Sequence, residues 1–395
     1  MRVFLGAFGD AGHAFPLLAL GERLVARGHE VTLETWRRWR EPVERGGMRF
    51  VPAPEYPVFP TREQPLQPYE AVTRAVPVTQ AAIRDAEPDV VVHDILTLAP
   101  ALAAELEGVP WATLIPHVHP TSAPGCPPYS MGARPPRTAV GRALWGLMEH
   151  PVAAGLRRGR DELNGTRSRL GLPPLERVFG GLSERLCMVA TFPGLEYPRD
   201  WPAGTEVIGP LLWELPYDEV DPPPGDDPLV LVAVSTAQDP DHELLRSALV
   251  GLAGEPVRVL AATNRRPLRH PVAVPANARL VEWISYSRTM PRCAAVISHA
   301  GHGTVVRALA SGTPLLAVPH SGDMGENAAR IDWAGVGVRL PWRLLGPTTL
   351  RLALRRLLAA EGRAARAREF AAWSARHDGA ARAAELVEAL GAGRR

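Results

Sequence analysis

The stretch R-V-F-L-G-A-F-G-D-A-G-H-A-F-P-L-L-A-L-G-E-R-L-V-A-R-G, residues 2–28, decides the fold class. An apolar run over residues 2–8 has the length of a strand. Gly9, Asp10, Ala11 and Gly12 interrupt it, and residues 15–26 then repeat Leu and Ala at helical spacing until Gly28 stops them. A second strand is expected at 30–34, and the strand, helix, strand order returns over 89–93, 98–106 and 111–115. The first half therefore reads as parallel α/β.

Residues 214–227, E-L-P-Y-D-E-V-D-P-P-P-G-D-D, put four prolines, one glycine and six acids into a stretch without apolar period, which marks a linker. Beyond it the grammar restarts with strand 229–234, helix 242–252 and strand 257–261, then strands at 294–298, 314–319 and 336–340, each followed by a helical pattern. The expected division is a first Rossmann-like domain at 1–213, the linker at 214–227, and a second such domain at 228–360. A helical tail at 361–395 is expected to pack back on the first domain. From residue 348 onward the pattern suits one or two amphipathic helices. Open parallel sheets bind ligands beyond the carboxyl ends of their strands, so the site is expected in a cleft between the halves. Two Pro-rich stretches, 51–68 and 116–136, are long for connections and read as substrate-facing loops.

With 395 residues the chain has room for two or three domains, and 46% hydrophobic with 22% charged residues exclude disorder and coiled coil. All 44 basic residues are Arg, because the sequence contains no Lys, and this removes Schiff-base and P-loop chemistry. Set against 42 acids, they leave no positive excess to hold nucleic acid. Cys126, Cys187 and Cys293 form no C-x-x-C pair, which suggests a reducing cytoplasm and no structural zinc. No apolar run approaches the ~20 residues of a membrane span. The first nine residues have strand form rather than that of a signal peptide.

The segment S-H-A-G-H-G-T, residues 298–304, joins a strand to a helix. A glycine turn there exposes N–H groups at a helix start, where the macrodipole favours an anion, and His299 and Thr304 can donate to phosphate oxygens. Gly301 and Gly303 belong to this diphosphate seat, unless they merely make a tight turn. A dinucleotide fingerprint needs a third glycine where Val306 stands. In P-H-S-G-D-M-G-E-N-A, residues 319–328, Asp323 can accept from sugar hydroxyls and Asn327 can donate and accept, the plainer role of Asp323 being a helix N-cap. Trp283 can stack on a nucleobase or fill the core. His13 follows the first glycine loop with a side chain suited to general-base work, and Asp94, ending another strand, can orient it; helix capping is the plainer role for both. His93, His117 and His119 lack the acids that a metal site would add, although His117 and His119 are candidates for contact with an acceptor.

Residues 12–31, the run V-V-V-H-D at 90–94, the Trp283 segment, S-H-A-G-H-G-T and P-H-S-G-D-M-G-E-N-A-A-R together resemble the inverting glycosyltransferases of family GT1, specifically their bacterial natural-product branch, over nearly the whole chain. The resemblance implies the GT-B fold of two Rossmann-like domains, with His13 as catalytic base and Asp94 as its partner. It also implies that His299, Gly303 and Thr304 hold the nucleotide diphosphate, Trp283 the base and Asp323 the sugar, with no metal or other cofactor. Two positions depart from the family pattern. Met324 stands where an amide usually follows the Asp, and Arg307 stands where a carboxylate commonly binds the ribose hydroxyls. Both favour a TDP-linked deoxysugar over UDP-glucose. The expected activity is transfer of a hexose or deoxyhexose from a UDP- or TDP-sugar to a small hydrophobic acceptor. A nucleotide-sugar epimerase and a non-catalytic nucleotide-sugar binder are the rivals.

Overall fold

A computed structural model describes residues 1–55, 70–122, 125–129, 131–217, 219–235 and 238–393, so residues 56–68 of the first Pro-rich stretch lie outside the described residues. The first sheet has seven strands, β1 (Arg2–Gly6), β2 (Glu30–Thr35), β3 (Arg49–Pro52), β4 (Val90–Asp94), β5 (Trp111–Ile115), β6 (Cys187–Val189) and β7 (Thr205–Val207), ordered β3-β2-β1-β4-β5-β6-β7. The second has six, β8 (Leu229–Ala233), β9 (Arg258–Ala262), β10 (Ala278–Val281), β11 (Ala295–Ser298), β12 (Leu315–Ala317) and β13 (Gly337–Arg339), ordered β10-β9-β8-β11-β12-β13. Every pairing is parallel.

Helices cover both faces of each sheet, and the central strands β4 and β8 are buried along their whole length, as their unbroken Val and Leu runs require. Alternate residues feed opposite cores: Leu229, Leu231 and Ala233 enter one, Val230 and Val232 the other. The order of the first sheet reverses between β1 and β4, and that of the second between β8 and β11. At such a switch the helices that follow the two strands leave on opposite faces and open a crevice. Both crevices face one interdomain cavity.

Several parts of the chain differ from the sequence expectation, which did not include strand β3 or the helices Glu70–Ala86, Ala139–Gly146 and Glu149–Arg169. Strands β6 and β7 are three residues each, too short to show an alternating pattern, and were not foreseen. The C-terminal region forms three helices, Pro347–Leu358, Glu361–Ser374 and Gly379–Ala392, rather than one or two. The last packs Ala383, Ala384 and Val387 with Leu17 and Leu20 of the first half, whereas Ala367 and Phe370 of the preceding helix join the core around Val305 and Leu309, with Phe370 and Trp373 also against Phe192. Phe192 and Leu195, ahead of the linker, also sit in that second core.

The halves are tied by Arg330, whose guanidinium donates to Leu195 O (2.8 Å) and Glu196 (3.0 Å) and lies 4.1 Å from the Tyr197 ring. Burial pushes the Glu196 carboxyl up, against the lowering effect of Arg330. A Cβ on Gly132 would stand 2.9 Å from Gly325 O, so the bare Gly132 lets the backbones of the halves meet beside the cleft. Among the described residues no helix is long and apolar enough to cross a membrane.

Candidate active site

His13 and Asp94 are 81 positions apart, yet β1 and β4 are hydrogen-bonded neighbours with Gly6 opposite His93, so the chain leaving both strands emerges at one point. His13 is the third residue of helix Ala11–Ala26. The loop before it is pinned at Gly9, whose carbonyl accepts from Trp39 Nε1 (2.7 Å) and Arg38 Nε (3.0 Å). A Cβ at Gly9 would lie 2.0 Å from the Trp36 ring. His13 Nδ1 is 2.8 Å from Asp94 Oδ1, and Asp94 Oδ2 accepts from Phe8 N–H at 3.2 Å. A carboxylate can only accept, so Nδ1 carries the proton and Nε2 presents a lone pair on the cavity side. Burial pulls the His13 imidazole down, but the charge and hydrogen bond of Asp94, with Asp10 and Asp323 adding, outweigh it and hold it above the ordinary histidine value. Neither His13 nor Asp94 caps a helix: the N-cap residues of the two helices are Asp10, whose side chain accepts no capping hydrogen bond, and Leu98.

Across the cavity, β11 ends at Ser298 and helix His302–Ala310 begins after Ala300 and Gly301. No side chain caps it, and its first N–H groups, at His302 and Gly303, have no carbonyl within the helix to bond. Gly301 and Gly303 both have negative φ, and a Cβ on either would meet nothing within 4 Å. The turn does not require glycine at these positions; their bareness leaves open space over the N–H groups. Ala300 instead takes the left-handed conformation, φ 61°. Asp239, His242, Asn264 and Arg265 do likewise, so five of the seven non-glycine residues with positive φ among the described residues lie in loops beyond β8, β9 and β11. Strain of about 1 kcal/mol each is tolerated there by a structure that fixes these loops from several sides.

Three of the expected site side chains are committed to protein partners, although His299 also lines the cavity. His299 accepts from Ser235 N–H through Nδ1 (3.0 Å) and donates through Nε2 to Asp239 (3.1 Å), so neither nitrogen is free for a phosphate; the ring joins the loops after β8 and β11. Burial would raise the Asp239 carboxyl, but His299 and the N–H groups of Glu243 and Leu244 win and hold it below the usual range. Asn327 is buried and does not line the cavity. Its Nδ2 donates to Ala300 O (3.0 Å) and Asp323 (3.1 Å), while Oδ1 accepts from His302 Nδ1 (3.3 Å), so it ties the two motifs together instead of gripping a sugar. His119 stands behind the first-half wall of the cavity, buried, with Nδ1 2.7 Å from Thr121 Oγ1 and its imidazole pushed down to about 3 by burial and then by Arg199. Asp323 and Met324 remain on the cavity, as do Thr304 and His117.

Trp283 lines the cavity two residues beyond β10, backed by Tyr217 (ring centroids 5.1 Å apart) and Arg265 (5.4 Å). Next to it lies an unforeseen residue, Glu214, the first of the linker. Its Oε1 accepts from Tyr286 N–H (2.6 Å) and Oε2 from Ser287 N–H (3.0 Å), and Arg307 Nη1 stands 3.6 Å from Oε2. Burial lowers the Arg307 guanidinium, against the effect of Glu214. The sequence held no signal for this contact, because an acid among six in a Pro-rich segment reads as solvation.

The first-half wall is apolar, with Phe15, Ile95, Leu96, Pro116 and Leu211 facing a cavity of about 550 Å³, a size suited to small-molecule ligands. His117 Nδ1 donates to Val118 O (2.7 Å), burial and then the charge of His13 push its imidazole down, and its ring lies 6.2 Å from that of His13.

The chain resembles known proteins along its length. Residues 3–113 match the glycosyltransferase family 28 N-terminal domain, and residues 243–390 the erythromycin biosynthesis protein CIII-like C-terminal domain. The 4'-demethylrebeccamycin synthase of Lentzea aerocolonigenes is 29% identical, over 90% of this chain and 91% of that protein. The O-mycaminosyltylonolide 6-deoxyallosyltransferase of Streptomyces fradiae is 30% identical, over 98% and 97%. The crystal structure of the glycosyltransferase VinC in complex with DTDP shares the fold with a TM-score of 0.71 at 22% identity, covering 99% of each chain. With this likeness along its full length, two parallel-sheet domains and facing half-sites, the chain belongs to the GT-B natural-product glycosyltransferases of family GT1 and is a sugar-transferring enzyme.

Proposed function

We propose that the enzyme transfers a hexosyl or deoxyhexosyl group from a UDP- or TDP-sugar to a small apolar acceptor, with inversion at the anomeric carbon and without a metal ion. One observation carries this reading: a polarised imidazole from the first half and an uncapped helix start from the second line a single cavity. His13 Nε2 takes the proton of the acceptor hydroxyl as its oxygen bonds to the anomeric carbon. The bond from that carbon to the diphosphate breaks on the opposite face, and one displacement inverts the centre. Asp94 keeps the ring in the required tautomer and stabilises its charged form. The negative charge arriving on the diphosphate is met by the N–H groups and dipole at Gly301–Thr304, in place of a divalent cation.

Trp283 suits a base and Asp323 a sugar hydroxyl, while the apolar first-half wall suits an aglycone. The replacement of an amide by Met324 favours a sugar with fewer hydroxyls, and the dTDP bound in a solved relative is consistent with a TDP donor. The test is a donor panel, UDP and TDP crossed with glucose, N-acetylglucosamine, rhamnose and a dideoxysugar, scored by calorimetry and by product formation with aromatic and macrolide acceptors. Isomerised donor without acceptor would instead mark an epimerase. Tight donor binding with no turnover on any acceptor would mark a binding protein.

A further inference from the structure

The helix that seats the diphosphate carries Arg307 one turn beyond Gly303, about 6 Å along the axis by the rise of 1.5 Å per residue. Here the sequence lacks the carboxylate expected to receive the nucleoside's sugar. The structure brings one from elsewhere. Glu214 comes from the segment joining the two halves, lines the cavity beside Trp283 and faces Arg307 across 3.6 Å. Both side chains are largely shielded, 15% and 13% exposed, so the carboxylate is oriented and not waving in water.

We propose that Glu214 is the hydrogen-bond acceptor for the 3'-hydroxyl of the donor nucleoside, replacing from the linker the acid that the helix does not supply. The inference rests on the nucleotide-donor reading above. Three groups in space set the order of the ligand: Trp283 for the base, Glu214 for the sugar ring, and the helix start at Gly303 for the phosphates. A carboxylate repels phosphate, so of the nucleotide's parts only the hydroxyls suit this position. Each carboxylate oxygen accepts about two hydrogen bonds. Oε1 uses one on Tyr286 N–H, whereas Oε2 uses one on Ser287 N–H and is the oxygen nearest the Arg307 charge, an ion pair at 3.6 Å that is longer than a hydrogen bond. One acceptor position remains on Oε1. It serves a single hydroxyl, which a 2'-deoxynucleoside already provides, so the 2'-hydroxyl of a ribonucleotide gains nothing here.

The experiment is calorimetric titration of the full chain with dTDP, 2',3'-dideoxythymidine diphosphate, UDP and 2'-deoxy-UDP. In the wild type, loss of the 3'-hydroxyl should weaken binding by about 10- to 100-fold, the worth of a hydrogen bond to a charged group. Loss of the 2'-hydroxyl should change it less than about threefold. In Glu214→Ala the dTDP to dideoxy ratio should collapse toward one. Glu214→Gln, which keeps the shape and an acceptor oxygen, should give an intermediate ratio and provides the test if the alanine variant does not fold. A merely structural Glu214 would weaken all four nucleotides alike and leave the ratio unchanged, which would overturn the proposal. So would a wild type indifferent to the 3'-hydroxyl, or one that strongly prefers UDP over 2'-deoxy-UDP. A wild type that binds none of the four nucleotides would refute the donor reading itself, and this inference with it.

Discussion

Gly303→Ala should make the protein more stable and a worse enzyme at once. Gly303 is the second residue of helix His302–Ala310, its φ is negative, and an added Cβ would meet no protein atom within 4 Å. Alanine then restricts the unfolded chain without straining the folded one, a gain of about 0.4–1 kcal/mol. For a unit of 150–250 residues that corresponds to a rise in Tm of roughly 1–4 °C. The same methyl group fills the space over the N–H groups that the diphosphate needs. Losing one or two hydrogen bonds to a charged ligand, at about 1.5–3 kcal/mol each, weakens nucleotide binding by at least about tenfold. Thermal unfolding without ligand and calorimetry with dTDP and UDP measure the two effects separately. The contrast is Gly9→Ala, whose Cβ would strike the Trp36 ring at 2.0 Å and should cost about 1–3 kcal/mol through overpacking. Unchanged affinity in Gly303→Ala, or a Tm lowered by several degrees, would refute the assignment of this glycine to a ligand.

His13→Ala should cut kcat by about 10²- to 10⁴-fold while nucleotide affinity stays within about twofold; full turnover would exclude His13 as the base. The base works deprotonated and its pKa is raised, so the rising limb of the kcat/KM profile should lie above the ordinary histidine value of 6.5 and move down in Asp94→Asn, with a smaller loss of turnover. The same shift has a sign for stability: the His13–Asp94 pair contributes most below pH 6.5, and its contribution fades as pH rises through the raised folded value. Glu34, buried and accepting from the Thr79 hydroxyl (2.9 and 3.1 Å), is pushed up to about 7 by burial. Between pH 4.5 and 7 the folded chain holds a proton there that the unfolded chain does not, so stability falls as pH rises. Denaturant titration should find Glu34→Gln more stable than wild type at pH 8, by up to about 3 kcal/mol, with no advantage at pH 4.5. Arg330→Ala leaves Glu196 buried without its counter-charge and should cost about 3–5 kcal/mol in the same assay. Chelation with EDTA should leave turnover unchanged, since the helix start carries the leaving-group charge; dependence on magnesium would argue against that role.

Reading the chain in order recovers the architecture because both sheets are built from local βαβ units, whose apolar runs and glycine stops are short-range signals. Leu229–Ala233 or Trp111–Ile115 can be recognised without knowing what they touch. The same holds for S-H-A-G-H-G-T, where the groups proposed to bind the ligand are main-chain N–H groups of one short segment, so motif and proposed site coincide. Glu361–Ser374 and Gly379–Ala392 show the boundary of this legibility. Their patterns are equally helical, and only the partners waiting on each half send one to Val305 and the other to Leu17.

What lay beyond the linear text were the directions of polar side chains. His299, Asn327 and His119 have the right chemistry for ligands, but their hydrogen bonds are spent on Asp239, Ala300 and Thr121, because a buried polar atom takes the nearest partner instead of waiting for a ligand. Glu214 shows the converse, an acid from an unpatterned linker set against Arg307 because the linker lies on the N–H groups of Tyr286 and Ser287 in the second half. Local periodicity determines which elements form. The pairing of β1 with β4 and of β8 with β11, and the seating of one half on the other, determine which side chains face the cavity, since those contacts join residues tens to hundreds of positions apart that no short-range pattern connects.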